Sequence, residues 1–141
     1  MTFFSDLQLG KEYEKKLASL LAFDTCEFAP ERAFKAWDIK IVRGGVETYY
    51  EVKCDRRTNT TKNIVIEFEC SGKPSGIDAT QAHYWAYFIH GTNQYLLLPV
   101  EALRTAIQNQ EYKNIVKGGD GYRARMYLFS LSTFSQYLHE F

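Results

Sequence analysis

The sequence predicts one mixed α/β domain, from three observations. A helical pattern opens the chain over residues 5–23. Strand patterns follow on either side of Gly44-Gly45 within Trp37–Cys54, and again over Asn63–Cys70. A second helical pattern at Asp78–Ile89 and an apolar strand at Gln94–Leu98 complete the order helix, three strands, helix, strand. A further strand and a short helix extend it at the C-terminal end. With 141 residues, 45% of them hydrophobic, residues 1–141 can bury one core. Ten Tyr and ten Phe require large rings to fill much of it.

The first helix has Ser5 as its expected cap, with Gln8 three residues on. Leu17, Leu20 and Leu21 form its buried stripe, and Glu12, Lys15 and Lys16 lie on the wet side. Glu14 projects from or beside the stripe. An acid there needs a partner or a metal, so pairing with a rim lysine and a metal role both stand. Gly10 weakens the helix but permits close approach of another backbone. Residues 23–36 read as a connector containing Pro30.

The hairpin decides what the chain can do. If the Gly44-Gly45 pair is the loop, Arg43 faces Val46, Ile41 faces Thr48, Ile39 faces Tyr50 and Asp38 faces Glu51. Opposed side chains in an antiparallel pair hold their Cβ atoms about 4.5–5.5 Å apart. Two carboxylates so close repel unless a cation lies between them. Lys53 shares the face of Glu51 by strand alternation and lies diagonal to Asp38. Two acids and a lysine therefore converge where a divalent metal could bind. The competing explanation is an ordinary surface hairpin with cross-strand charges, and a bulge near the glycines would undo the register.

The segment from Asp55 to Lys62 is polar and basic, and reads as an exposed loop. Arg56, Arg57 and Lys62 suit phosphate contact, although a solvated turn explains the same letters. In the third strand, Ile64, Ile66 and Phe68 share one face. Val65, Glu67 and Glu69 share the other, so those acids either support the acidic cluster or face water. A turn from Ser71 to Gly76 leads into the second helix, with Asp78 and Gln81 as cap and Ala82, Trp85, Ala86 and Ile89 as core stripe. Lys73 and Ser75 precede that helix start, where free N–H groups favour an anion. The full GxxxxGK[ST] pattern is missing, so no nucleotide P-loop is expected. His83 reads as a surface or hydrogen-bonded histidine, without a second ligand at metal spacing.

Pro99 should start a helix through Gln108, with Leu103 and Ile107 buried. Glu111–Lys117 is irregular or a short strand, residues 118–121 are a turn, and Tyr122–Leu131 is a strand. Ser132 caps a last short helix containing Phe134, Tyr137 and Leu138.

Composition narrows the function. A formal net charge of zero argues against a non-specific nucleic-acid coat protein, which depends on many cations. It leaves room for an enzyme with a local basic rim. Cys26, Cys54 and Cys70 make no CxxC pair, so reduced thiols in a cytoplasmic setting are expected. No charged leader with an apolar core and no bilayer-length apolar run is present, so no membrane partner is expected.

With Glu14 on the first helix, Asp38 on the first strand and Glu51-Val52-Lys53 on the second, the chain resembles the PD-(D/E)XK nuclease superfamily. Its run IVIEFECSGKPSGIDATQAHYW is similar to small phage-type members described as Holliday-junction-resolvase-like nucleases. The resemblance spans residues 6–98. Trp37 stands where the superfamily's name has proline. It implies an αβββαβ restriction-endonuclease-like core, a mixed sheet flanked by helices, and hydrolysis of DNA phosphodiesters. By the same resemblance Asp38, Glu51, the Val52 carbonyl and Glu14 would hold Mg²⁺, with Mn²⁺ able to substitute. Lys53 would be the catalytic lysine and Gln81 the polar residue of the second helix. Branched DNA and a symmetric homodimer would suit such an enzyme. The alternative from a different class is a non-catalytic nucleic-acid-binding or assembly module on the same fold.

Overall fold

The computed structural model describes residues 3–30 and 36–141, with the side chains of residues 3–7 and 120 outside the description. Helix α1 (Phe3–Leu20) is followed by β1 (Thr25–Phe28), β2 (Ile39–Arg43), β3 (Val46–Asp55), the single turn α2 (Thr58–Thr61), β4 (Asn63–Cys70) and β5 (Lys73–Pro74). After a 3-10 turn at Gly76–Asp78 come β6 (Tyr84–Ile89), β7 (Gln94–Pro99), α3 (Val100–Gln108), β8 (Asn114–Gly118), β9 (Ala124–Ser130) and β10 (Leu138–Glu140). The strands form two sheets, ordered β1-β2-β3-β6-β7-β10 and β5-β4-β9-β8.

The hairpin forms as its glycines require. Gly44 and Gly45 have φ of 58° and 78°, the left-handed pair that a two-residue turn needs. The register pairs Arg43 with Val46, Ile41 with Thr48 and Ile39 with Tyr50. Strand β3 then pairs in parallel with β6, Glu51 opposite Trp85 and Lys53 opposite Tyr87. One face of this sheet carries Ile39, Ile41, Tyr50, Val52 and Phe88, which pack with Leu17 of α1. Its other face carries Trp85, Tyr87, Leu96 and Leu98, packed against Ile64, Ile66 and Phe129 of the second sheet and Leu103 of α3. Rings fill both layers; Phe88 stacks on Tyr95 in the first and Phe68 on Tyr127 in the second, at centroid distances of 5.0 and 4.4 Å.

Several expectations change. The helix expected at Asp78–Ile89 is the 3-10 turn Gly76–Asp78, an irregular link and strand β6. Three of its four stripe residues, Trp85, Ala86 and Ile89, fall in a run, Trp85 to Ile89, that is buried throughout, and the fourth, Ala82, is buried in the link before it. A central strand covered on both faces buries every residue, and any subset of it can mimic a 3.6-residue period. The third strand exists where expected, but as β4 it belongs to the second sheet. Ser5 lies inside α1 and not at its cap. The buried row of α1 is Leu17, flanked by Tyr13 and Leu21 at i±4; Leu20, three residues from Leu17, turns outward and is 37% exposed. Among the described residues nothing lies within 4 Å of a Cβ built on Gly10, so none of their backbone approaches there. The connector 23–36 contains β1, an edge strand with little apolar signal, and residues 31–35 of it lie outside the described residues. The C-terminal helix is a 3-10 stretch (Leu131–Tyr137) leading into β10, which adds to β7. Strand β7, helix α3 and strand β9 lie where the sequence placed them.

Among the glycines, Gly76 makes the closest contact with a backbone atom. Its φ is 50°, and a Cβ there would come within 2.0 Å of the Glu67 carbonyl oxygen. The 3-10 turn is pressed onto β4 by that contact. Gly76→Ala should lose about 2–4 kcal/mol of unfolding free energy, from left-handed strain plus displacement of β4. Urea denaturation followed by circular dichroism measures it, and an unchanged midpoint would contradict the packing.

Candidate active site

Strand β3 brings the chemistry together because successive residues alternate between its two faces. Glu51 and Lys53 both point to the face covered by the second sheet, and the Lys53 Nζ lies 3.4 Å from Glu51 Oε2. Asp38 sits one residue before β2. Its N–H bonds the Tyr50 carbonyl at 2.8 Å, and its Oδ2 accepts the Val52 N–H at 2.7 Å. That bond turns the Asp38 side chain toward β3, where its carboxyl comes within hydrogen-bonding reach of Glu51. In a strand, the N–H and C=O of one residue point to the same flank. The Val52 carbonyl therefore opens on the side where Asp38 lies. Glu14 reaches the group from α1, near enough for its charge to act on Asp38 and Lys53.

Electrostatics bear the mark of crowded acids. Burial pushes the Glu51 carboxyl up to about 7; the Lys53 ammonium opposes this, and the Asp38 carboxyl reinforces it. The Glu14 carboxyl is also raised to about 7, first by burial and then by Asp38, against the pull of Lys11 and Lys53. For Lys53, burial favours the neutral amine, but Glu51 and Asp38 together outweigh it and hold the proton on. Glu67 adds to that field, the supporting position considered for it from the sequence. The Lys53 Nζ also lies 5.5 Å from the centroid of the Trp85 ring.

The donor set is hard oxygen throughout, which suits Mg²⁺, an ion that takes one or two carboxylates beside waters and phosphate oxygens. Asp38, Glu51 and the Val52 carbonyl fit that need. Among the described residues no group of three His, Cys, Asp or Glu side chains already stands at cation-holding distance; Glu14 is the third acid in electrostatic reach and not a member of such a group.

Other sequence candidates fall elsewhere. Gln81 is exposed and lies on no helix, its backbone N–H bonded to the Ala36 carbonyl. The residue that touches Glu51 is its neighbour Thr80, whose hydroxyl donates to Oε1 at 3.0 Å. No local pattern marks Thr80, because its position depends on where the chain returns to the sheet. Ser75 is 5% exposed, with its Oγ buried, so it offers nothing to a phosphate. Lys73 is exposed on β5. The helix-start anion site does not exist, since only a three-residue turn follows. Arg57 and Lys62 are exposed and Arg56 half-buried; Lys62 Nζ caps the Asn59 carbonyl at 2.7 Å. Their segment begins after Asp55, four residues and about 13 Å along the strand from Glu51. His83 accepts the Tyr49 N–H at 2.9 Å, as a hydrogen-bonded surface histidine.

The raised carboxyls set a pH dependence for the cation-free chain. Unfolded glutamates lose their protons near 4.5, whereas folded Glu14 and Glu51 keep theirs to about 7. Between those values the folded state binds more protons, so this contribution to stability falls as pH rises across the window. In EDTA, melting temperature should drop more between pH 5 and pH 8 in the wild type than in Glu14→Gln. Equal slopes in the two proteins would show that Glu14 is not held as described.

No protein-family model and no curated protein sequence matches the chain. Its fold does match solved structures. One is the bacterial homing endonuclease I-Ssp6803I, 10% identical over 74% of each chain, with a TM-score of 0.56. Another is Hjc of Archaeoglobus fulgidus, a Holliday junction resolvase from an archaeal hyperthermophile, 14% identical, covering 93% of this chain and 90% of the resolvase, with a TM-score of 0.50. A mixed sheet with helices packed on both faces, and the likeness to these two proteins, give the chain the fold of the PD-(D/E)XK nucleases.

Proposed function

We propose that the protein is a Mg²⁺-dependent DNA endonuclease that hydrolyses phosphodiester bonds, with branched DNA as its preferred substrate. One observation carries the proposal: Asp38 and Glu51 share a hydrogen-bonding distance beside the Lys53 ammonium. A scaffold with no ion to bind gains nothing from holding such acids together against their repulsion. The likeness of the fold to a homing endonuclease and to a Holliday junction resolvase supports the substrate class.

Asp38, Glu51 and the Val52 carbonyl would hold the cation, with Glu14 completing its surroundings. Bound there, Mg²⁺ supplies Lewis acidity toward a phosphate oxygen and lowers the pKa of a bound water. The chain's own residues do the rest. Val52 N–H fixes the Asp38 carboxylate, and Lys53 sets the Glu51 carboxylate through Oε2. Lys53, kept protonated by its carboxylate neighbours, presents a compact positive charge to the charge that grows on the phosphoryl oxygens. The Trp85 ring beneath it limits where the ammonium can swing. The basic residues Arg56, Arg57 and Lys62, with Lys73, would contact the DNA backbone away from the cleaved bond.

The test incubates the purified chain with supercoiled plasmid and with a synthetic four-way junction, in Mg²⁺ or in EDTA. Cutting in Mg²⁺ alone is expected, faster on the junction. Asp38→Asn and Lys53→Ala should each lose on the order of a hundredfold or more in cleavage rate while still folding. Binding without cutting would make the protein a nucleic-acid-binding module, and full activity in either variant would remove that residue from the mechanism.

A further inference from the structure

Thr80 lies between the 3-10 turn Gly76–Asp78 and β6, and is 7% exposed. Building on the nuclease function proposed above, we infer that Thr80 is a positioning residue: it holds Glu51 in the orientation that faces Asp38 and thereby sets the site's affinity for a divalent cation. Its hydroxyl has one proton to give. The Ala82 N–H donates to Oγ1 at 3.1 Å, which occupies an acceptor position and leaves that proton to be placed. Two acceptors are within reach, Glu51 Oε1 at 3.0 Å and the Ala36 carbonyl at 3.3 Å. The charged acceptor is also the nearer one, and hydrogen bonds to ionised groups are roughly twice as strong as neutral ones. An ionised Glu51 therefore takes the proton.

Each oxygen of Glu51 then has its own donor, Thr80 on Oε1 and Lys53 on Oε2. The carboxylate plane is pinned between a loop and a strand. Thr80 itself cannot drift, because its N–H bonds the Gly76 carbonyl at 2.9 Å and its carbonyl accepts Arg104 Nη2 at 3.3 Å. A neutral donor suits this role. It orients the carboxylate without cancelling the negative charge that a cation would meet, as a second lysine would.

Calorimetric titration of Mg²⁺ into the full chain, without DNA, tests the inference in wild type, Thr80→Val and Thr80→Ser, with thermal melts alongside. Thr80→Val should bind Mg²⁺ about tenfold more weakly, and Thr80→Ser should restore affinity to within about twofold. Plasmid cleavage by Thr80→Val should recover at raised Mg²⁺. If the valine variant does not melt cooperatively, Thr80→Ala removes the same hydroxyl and takes its place. Wild-type affinity in the hydroxyl-free variant overturns the positioning role while leaving the nuclease standing. Equal weakening in the valine and serine variants overturns it too, because the hydroxyl would then be irrelevant. A wild-type chain that binds no Mg²⁺ overturns both proposals before any substitution is made.

Discussion

Everything in the site depends on a repulsion that the fold does not avoid. Two unit charges 4 Å apart near a protein surface repel by about 4 kcal/mol, a large fraction of a domain's total stability. The chain nonetheless holds Asp38 and Glu51 together with fixed, directional contacts. One acid is anchored through a backbone N–H of β3 and the other through a threonine hydroxyl and an ammonium. These anchors come from two elements: Val52 and Lys53 of strand β3, and Thr80 of the loop before β6. Burial, reinforced by the Asp38 charge, raises the Glu51 and Glu14 carboxyls to about 7. Acids held this way are poised to exchange a proton for a cation close to neutral pH.

The hairpin was legible because its physics is local. Two adjacent glycines admit the left-handed turn, the two-residue loop fixes the register, and alternation fixes the faces. The meeting of Asp38 with Glu51 therefore followed from the letters, although Asp38 reaches Glu51 from just outside β2 by bonding Val52, a detail that no pattern shows. Strand β7 and helix α3 were legible for the same reason, with Pro99 marking the junction between them. The run from Gly76 to Ile89 was not. Its last five residues are buried on both faces, so period carries no information there, and the aromatic content of YWAYFI was the better guide. The error carried a functional consequence, since it placed Gln81 on a helix that does not exist and passed over Thr80.

The crossover that joins the parallel strands β3 and β6 matters for the site. Parallel strands need a crossover of a dozen or more residues, usually a helix. Between β3 and β6 the crossover here is residues 56–83, which contribute the one-turn α2, two strands of a second sheet and a 3-10 turn. Cover on that face of the main sheet comes from a sheet, joined by α3 further along the chain. A second sheet supplies rows of side chains at fixed spacing, and one of them, Glu67, adds its charge to the field at Lys53.

That route also explains how Thr80 arrives beside Glu51. Strand β4 must turn back before the chain can enter β6 parallel to β3, and the return is fixed where Gly76 rests on the Glu67 carbonyl. From Gly76 the chain has only seven intervening residues before β6 begins at Tyr84 opposite Tyr50. The 3-10 turn uses the first of these, and its hydrogen bonds from Ala79 and Thr80 back to Gly76 set the direction in which Thr80 faces. The Gln81 and His83 N–H groups then bond Ala36 and Tyr49, laying the link along the strand that bears Glu51. A close glycine contact on one sheet thus aims a hydroxyl at a carboxylate on the other. The second sheet is part of the device that orients the acids, and a change at the Gly76–Glu67 contact would reach Glu51 through Thr80.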